Sequence, residues 1–347
     1  MKRLGIGLIG CGKVAEFHLG AYKQDQRVEI IGVSDTDERL AKRTAGKYQV
    51  EHFFSDYEDL LKRDDVQIVS VCVPNFLHYE IASKSIKYRK NVLVEKPFVL
   101  TVQESKELIS LAERNNVKLG VVHNKRYNTV TQKAKNLIDE GVLADVYLAD
   151  YRLILPGPNI GRRGSKWTFD KTKSGGGAIM DLGVHMIDLI RWMLGEISSV
   201  YVVMSPFFDD LEVESFASAI LNLKSGAVCS MKVGWLASYQ EDTITLWGTA
   251  GTLTVEPWFS YLELIPGNRN PISRTYKVCR SLARTIKTYI SRTDETAQSH
   301  CRLIGEYITS IIQNKDPPVT GQDGMESIKV IQALYESSLT KKPVDIK

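Results

Sequence analysis

Apolar and polar positions along the first third of the chain alternate as short buried strands followed by amphipathic helices. Continuous apolar runs predict strands at Leu4–Ile9, Val28–Ser34, Val66–Val73, Val92–Val94 and Lys118–Val122. Between them, apolar residues at helical spacing predict helices at Glu38–Tyr48, Asp56–Lys62, His78–Tyr88 and Thr101–Asn115. This alternation predicts a doubly wound parallel sheet with helices on both faces, the Rossmann arrangement.

The pattern changes after Val122, where longer strands are joined by short hairpin turns. Seven strands are predicted at Ala144–Leu155, Ile197–Met204, Ser215–Leu223, Val228–Trp235, Thr243–Gly248, Thr252–Glu256 and Tyr261–Ile265. Hairpin turns join antiparallel neighbours. We therefore predict an α/β protein with an N-terminal Rossmann domain over residues 1–123 and a second α/β domain over residues 124–347.

A glycine turn follows the first strand, with the sequence Gly10-Cys11-Gly12-Lys13-Val14-Ala15. In a GxGxxA turn that joins a strand to a helix, Gly10 permits the tight turn and Gly12 lets the backbone approach a pyrophosphate. The phosphates would lie on the first N–H groups of the helix, near Lys13 and Val14. The turn predicts a dinucleotide cofactor.

Asp35 ends the second strand, 25 residues after Gly10. A carboxylate at about this separation binds the adenosine ribose hydroxyls and repels a 2′-phosphate, which favours NAD over NADP. Arg39 keeps NADP possible. The alternative is that Asp35 caps the helix that follows.

Two further turns are predicted at the same sheet edge. Pro74, Asn75 and His78 follow one strand, and we expect them to line the cofactor cleft, although Asn75 could instead cap a helix. Glu95 and Lys96 end another strand, which Pro97 terminates because it cannot donate to a sheet ladder. Ligands bind at this edge of open α/β sheets, so Glu95 and Lys96 are candidates for the site. The alternative is a solvated surface turn.

One helical stretch, Ala178–Leu194, interrupts the β-rich region and follows Gly175-Gly176-Gly177. Asp181, His185 and Asp188 are spaced four and three residues apart, which predicts that they share one helix face. A carboxylate beside an imidazole can orient it and raise its basicity, so His185 is a candidate acid or base. The alternative is a core histidine.

Composition is that of an ordinary globular protein, with 347 residues, 43% of them apolar and 25% charged. No apolar run approaches the roughly 18 residues of a membrane helix, so no membrane partner is expected. The five scattered cysteines predict a reduced, cytoplasmic protein without a metal site. The net charge of +4 comes from the acid-free segment 264–293, so no nucleic-acid partner is expected. That segment could instead bind a nucleotide diphosphate or an acidic neighbouring subunit, or less favourably form a membrane-surface helix.

Six motifs follow one another along the chain. They are the glycine turn, Asp35, Pro74-Asn75 with His78, Glu95-Lys96-Pro97, Arg126-Tyr127 and Asp181-Leu182-Gly183-Val184-His185. In that order and spacing the chain resembles the Gfo/Idh/MocA oxidoreductases over essentially its whole length. The resemblance implies a C-terminal α/β domain built on an open, mostly antiparallel sheet. The free face of this sheet would pair subunits into a homodimer or homotetramer.

The resemblance also implies an NAD(P)-dependent enzyme that oxidises a CH–OH group of a sugar, inositol or nucleotide sugar. It assigns Lys96, Asp181 and His185 to catalysis. We expect His185 to be the base, Asp181 to orient it and Lys96 to stabilise the alkoxide. Candidate substrate residues are Arg126 and Tyr127, with Arg163, Lys166 and Trp167 in a loop that offers cations and an aromatic face. An NAD-retaining glycosidase and a non-catalytic NAD-sensing regulator are the alternatives.

Overall fold

A computed structural model describes residues 3–156, 166–206, 211–235, 237–267 and 295–347. The chain forms two compact units. The first comprises Met1–Asn124, Ser165–Val184 and His300–Gln332, and the second comprises Lys125–Gly164, His185–Ser299 and Ala333–Lys347. Each unit therefore uses more than one stretch of the chain.

Six parallel strands form the sheet of the first unit. They are β1 (Leu4–Ile9), β2 (Val28–Ser34), β3 (His52–Phe54), β4 (Ile68–Val71), β5 (Asn91–Glu95) and β6 (Leu119–Val122). Their order in the sheet is β3-β2-β1-β4-β5-β6, the Rossmann order. The short strand β3 was missed in the sequence, whereas the predicted α/β class and parallel sheet are confirmed.

The described helices are α1 (Ala15–Gln24), α2 (Glu38–Tyr48), α3 (Tyr57–Leu61), α4 (His78–Lys87), α5 (Val102–Asn115), α6 (Thr129–Asp139), α7 (Lys171–Ser174), α8 (Val184–Leu194), α9 (Glu295–Ile312) and α10 (Gly321–Thr340). Side chains cap several of them at the N-terminus. Thr101 and Glu104 form a capping box at α5, because the Thr101 hydroxyl accepts from the Glu104 N–H while the Glu104 carboxylate accepts from the Thr101 N–H. Local sequence therefore sets where these helices begin.

The carboxyl ends of β1, β4 and β5 lie in register. Ile9 pairs with Val71, and Val71 pairs with Val94. The residues that follow these positions therefore leave the sheet at one edge. The strand order reverses between β1 and β4, which is where a doubly wound sheet leaves a crevice for its ligand.

The glycine-rich segment leads into a helix that differs from the prediction. A π-helical turn covers Ile179–Gly183, and the α-helix α8 begins only at Val184. The helical stretch predicted over Ala178–Leu194 is therefore present, but residues 179–183 form a π turn instead of an α turn. Because π turns hold more residues than α turns, the predicted α-helical spacing of Asp181 and His185 does not apply.

Eight strands form the sheet of the second unit. They are β7 (Val146–Ile154), β8 (Ile197–Ser205), β9 (Phe216–Leu223), β10 (Val228–Gly234), β11 (Glu241–Gly248), β12 (Gly251–Glu256), β13 (Tyr261–Pro266) and β14 (Val344–Asp345). Their order is β13-β12-β11-β7-β10-β9-β8-β14, and only β7 and β10 pair in parallel among the described strands. The predicted mostly antiparallel sheet is confirmed.

One face of this second sheet packs against α8. An apolar cavity of about 10 Å³ lies between them, lined by Ala149, Tyr151, Leu189, Ile190, Met193, Leu194, Cys229, Ile244 and Leu246. Along β9, buried and exposed residues alternate, as expected for a strand with one face covered. On the other face, Tyr201, Val203, Phe216 and Ile220 are exposed apolar side chains.

No helix in the described ranges combines the length and the apolar composition that a membrane crossing requires.

Candidate active site

The glycine turn after β1 needs glycine at its first position. Gly10 has φ +92°, and a Cβ there would lie 2.5 Å from the carbonyl oxygen of Cys72. The Gly10 N–H donates to the Ser34 carbonyl at 2.8 Å. The turn is therefore packed tightly against the neighbouring strand ends, and any side chain at position 10 would force them apart.

Gly12, unlike Gly10, lies beside open space. A Cβ at this position would meet no described atom within 4 Å. Lys13 is exposed, and no described residue accepts a hydrogen bond from the N–H of Lys13 or Val14. Open space beside donor groups at the start of α1 fits the pyrophosphate of a dinucleotide.

Asp35 is held against this turn. Its Oδ2 accepts from the Cys11 N–H at 2.8 Å, and its Oδ1 accepts from the Asp37 N–H at 2.9 Å. The cap of α2 is Asp37, which accepts from the N–H groups of Arg39 and Leu40. The alternative that Asp35 caps this helix is therefore wrong. Its carboxylate lies beside the glycine turn, as a ribose-binding residue requires.

The turn after β4 contacts the glycine-rich segment of the same unit. Asn75 donates from Nδ2 to the Ser174 carbonyl at 3.1 Å, and Phe76 meets Trp167 edge to face with ring centroids 6.4 Å apart. Pro74 and Trp167 are both half-buried. This turn is therefore fixed at the crevice beside the glycine turn.

His78 lies beneath that turn and has no exposed surface. Its Nδ1 lies 2.8 Å from the Pro97 carbonyl oxygen, and its Nε2 lies 2.9 Å from that of Val73. The imidazole therefore joins the turn after β4 to the turn after β5. Its predicted part in cofactor binding would be indirect, through the position of these turns.

Lys96 and Asp181 form the main ionic contact at the sheet edge. The Lys96 ammonium donates to Asp181 Oδ1 at 3.0 Å and to the Asp181 carbonyl oxygen at 2.8 Å. The two side chains remain 20% and 29% exposed, so solvent or a ligand can reach them. A reachable ammonium with a fixed direction can stabilise negative charge that develops on a bound oxygen.

The other predicted residues have different surroundings. His185 is 9% exposed and lies in the first turn of α8, in the second unit. Arg126 is buried and donates bidentately to Asp188, at 2.6 and 2.9 Å. Tyr127 is half-buried. Arg163, the Lys166 side chain and most of the basic segment, from residue 268 to residue 293, lie outside the described residues.

The sequence-based predictions missed a buried polar network behind Lys96. The Glu95 carboxylate is 2.9 Å from His18 Nε2, His18 Nδ1 is 3.1 Å from Ser70 Oγ, and Ser70 Oγ is 2.5 Å from the Tyr22 hydroxyl. His18 follows Ala15 by three residues on the buried side of α1, and this spacing could have placed it in the core facing the sheet.

Charges in this network are set by opposing effects. Burial by itself would raise the pKa of Glu95, but the hydrogen bond from His18 and the nearby His300 imidazole hold that pKa well below its ordinary value. Burial lowers the pKa of His18, and Glu95 only partly opposes this. Glu95 is therefore an ionised carboxylate and His18 a neutral imidazole near pH 7.

Comparison with known families agrees with this geometry. The model of an oxidoreductase family with an NAD-binding Rossmann fold matches residues 4–123, and the model of the GFO/IDH/MocA C-terminal domain matches residues 131–254. The chain belongs to the Gfo/Idh/MocA oxidoreductase family. The predicted family, the NAD cofactor and the enzyme class are thereby confirmed.

Relatives of this oxidoreductase are distant. Oxidoreductase P35 of Formosa agariphila is 30% identical over 279 residues, which cover 79% of this chain and 85% of the relative. Levoglucosan dehydrogenase of Pseudarthrobacter phenanthrenivorans is 28% identical over 241 residues, 65% of this chain and 60% of the relative.

A solved structure has the same fold. The WlbA dehydrogenase from Bordetella pertussis, in complex with NADH and UDP-GlcNAcA, superimposes with a TM-score of 0.86 at 22% identity. The match covers 100% of this chain and 99% of that one.

The two glycines give a matched test of the cofactor turn. Gly12→Ala should leave the melting temperature of the free protein unchanged and weaken NADH binding about tenfold or more, because the methyl group enters the open space beside the N–H groups. Gly10→Ala should lower the melting temperature, because its Cβ collides with the Cys72 carbonyl. Thermal denaturation and NADH fluorescence titration measure both. Unchanged NADH affinity in Gly12→Ala would show that the pyrophosphate does not bind at this turn.

Proposed function

We propose that this oxidoreductase transfers a hydride between NAD and a secondary CH–OH carbon of a sugar, inositol or nucleotide sugar. The observation that supports the proposal is the Lys96 ammonium, which lies at the carboxyl end of β5 and is held by Asp181 at 2.8 and 3.0 Å. Lys96 follows β5, and through β4 the end of β5 is in register with the end of β1 at the glycine turn. A cation so placed suits the oxygen of a carbinol that loses its proton.

Oxidation of a carbinol removes a hydroxyl proton together with a hydride. Bound NAD supplies the hydride acceptor. We assign His185 as the base that takes the hydroxyl proton, and Lys96 as the cation that stabilises the developing alkoxide. Asp181 holds the ammonium in one direction, so less reorganisation is needed when charge develops. This role for Asp181 differs from the sequence-based expectation that it orients His185, and it follows from its contact with Lys96.

Relatives support the substrate class. Named relatives include levoglucosan dehydrogenase and a D-glucoside 3-dehydrogenase, and the WlbA structure contains UDP-GlcNAcA. In this chain the half-buried Trp167 ring, braced by Phe76, offers an apolar face in the same unit as Lys96. Aromatic faces pack against the C–H surfaces of sugar rings. We propose Trp167 as a substrate contact on this basis, with Arg126, Tyr127, Arg163 and Lys166 as further candidates.

A substrate panel tests the proposal. Purified protein with NAD is offered levoglucosan, methyl glucosides, inositols and UDP-sugars, and the NADH absorbance band is followed together with released free sugar. NADH formation with at least one compound is expected. Release of free sugar without net NADH would indicate the NAD-retaining glycosidase instead. NADH binding without either change on any compound would favour the regulator.

Asp35 sets the expected cofactor preference. Its carboxylate lies beside the glycine turn and would repel the 2′-phosphate of NADP. Asp35→Asn retains an oxygen that can accept from the Cys11 N–H but removes the charge. We expect the ratio of NADPH to NADH affinity to rise about tenfold, measured by fluorescence titration of both cofactors. An unchanged ratio would show that Asp35 does not select the cofactor.

The free face of the second sheet supports assembly into a homodimer or homotetramer. Tyr201 and Ile220 are paired neighbours there, and both are exposed apolar residues. Exposed apolar side chains grouped on a sheet face mark contact surfaces. We expect light scattering to give a mass of at least two subunits, and Ile220→Asp to reduce that mass. Asn222→Asp on the same strand is the polar control. A monomeric wild-type protein would contradict this assembly.

A further inference from the structure

The buried network behind Lys96 plays no part in the mechanism above. It joins α1, which follows the glycine turn, to the last residue of β5. Glu95, His18 and Ser70 are 6%, 0% and 0% exposed. A buried ionised carboxylate is costly unless it is fully hydrogen-bonded, so its position next to Lys96 needs an explanation.

Every hydrogen bond in the network can be assigned one direction. The Tyr22 hydroxyl donates to Ser70 Oγ, the Ser70 hydroxyl donates to His18 Nδ1, and His18 Nε2–H donates to Glu95 Oε1. This assignment requires a neutral His18 that carries its proton on Nε2. The second carboxylate oxygen, Glu95 Oε2, accepts from the Lys96 backbone N–H at 3.2 Å. The carboxylate thus contacts the residue that carries the ammonium.

A second histidine stands beside the same oxygen. His300 Nε2 is 3.8 Å from Glu95 Oε1, and the His300 ring stacks on Phe17 with centroids 4.8 Å apart. Phe17 and His18 are neighbours in α1. The carboxylate therefore accepts a hydrogen bond from α1 and is flanked by a ring of α9, and both histidines are buried.

We propose that Glu95 is a positioning residue for Lys96 and that His18 holds Glu95 in place from α1. The proposal rests on the function proposed for Lys96. The carboxylate fixes the Lys96 peptide, and the peptide fixes the direction of the side chain that binds Asp181. Since α1 begins directly after Lys13 and Val14, the same network connects the cofactor turn to the catalytic ammonium.

Four variants separate positioning from simple packing. Glu95→Gln keeps an acceptor for His18 but turns an NH₂ group towards the Lys96 N–H. His18→Leu removes the donor to Glu95, and His18→Gln restores a donor of similar reach. Tyr22→Phe removes only the far end of the network and leaves the His18 and Glu95 contacts intact, so it is the control.

The first readout is the acetylation rate of Lys96 by acetic anhydride, resolved by peptide mass spectrometry. Lys96 is 20% exposed, and Lys47, which is 55% exposed, is the internal reference. Relative to Lys47, Lys96 should react about fivefold faster in Glu95→Gln and His18→Leu, the effect of losing one hydrogen bond. The rate should return towards the wild-type value in His18→Gln and stay unchanged in Tyr22→Phe. The second readout is turnover, where kcat should fall about tenfold to a hundredfold with little change in KM.

The outcomes are distinguishable. Unchanged Lys96 acetylation in both Glu95→Gln and His18→Leu overturns the positioning role. The role is also overturned if all variants, Tyr22→Phe included, lose kcat in proportion to their loss of melting temperature. If Glu95→Gln does not fold, the two His18 variants decide. Acetylation needs no substrate, so a wild-type protein that turns over no compound of the panel contradicts the proposed function while the acetylation result still decides on Glu95.

Discussion

Lys96→Ala is expected to reduce kcat by about two orders of magnitude or more, with NADH binding retained. The ammonium is held by Asp181 at 2.8 and 3.0 Å, so the variant removes a cation that is already directed before charge develops on the substrate oxygen. Preorganised charge of this kind acts mainly in the transition state. Steady-state kinetics on a substrate of the panel measure the first part, and NADH fluorescence titration measures the second.

One control and two further variants accompany this prediction. Lys47→Ala removes an exposed lysine that pairs with Glu16 and should leave kcat unchanged. Asp181→Asn keeps a hydrogen-bond acceptor but not the charge, and an intermediate loss is expected. His185→Ala should lose as much turnover as Lys96→Ala if it is the base. Near-normal turnover in both Lys96→Ala and His185→Ala would show that neither residue is catalytic.

Asp188→Ala is expected to lower the free energy of unfolding by about 3 to 5 kcal/mol. Asp188 is 1% exposed and accepts two hydrogen bonds from Arg126, which is 7% exposed. The variant leaves a buried guanidinium without its bidentate partner. Chemical denaturation followed by circular dichroism gives the free energy.

An exposed ion pair provides the comparison for Asp188. Glu16→Ala breaks the contact with Lys47, where both side chains are more than half exposed, and should change stability by less than about 1 kcal/mol. Replacing both Arg126 and Asp188, as Arg126→Met with Asp188→Leu, should recover most of the loss, because no uncompensated charge remains. Equal losses of unfolding free energy in Asp188→Ala and Glu16→Ala would show that burial does not increase the contribution of the Arg126–Asp188 pair to stability. Arg126 would then be a stronger candidate for contact with substrate.

Much of the fold was predictable because local patterns and chain order agree. Buried strands such as Val92–Val94 are short, continuous and bounded by a polar turn or a proline, so they could be located without knowing their neighbours. Because ligands bind at the carboxyl ends of parallel strands, the positions of Gly10 and Lys96 directly after two such strands were enough to group them. Short strands escaped, because β3 and β14 contain three and two residues and carry no periodic signal.

The candidate site was harder to predict. Its parts were found as strand-end motifs, but their contacts depend on tertiary structure. A π turn at Ile179–Gly183 has no spacing signal of its own, and the pairing of Lys96 with Asp181 joins residues that are 85 positions apart. His18 shows why a single histidine is difficult to interpret. Its role depends on Glu95, 77 residues away, and on the burial of both.

Isotopic labelling follows the hydride from the carbinol carbon to NAD directly. The protein and NAD are incubated with levoglucosan, methyl glucoside, inositol and a UDP-sugar, each deuterated at its carbinol carbons, and the NADH is analysed by mass spectrometry. We expect deuterium in the NADH with at least one of these compounds for the wild-type protein, and about a hundredfold less for Lys96→Ala. Absence of deuterium with all of them would contradict hydride transfer from a carbinol, and equal incorporation by Lys96→Ala would contradict the catalytic role of Lys96.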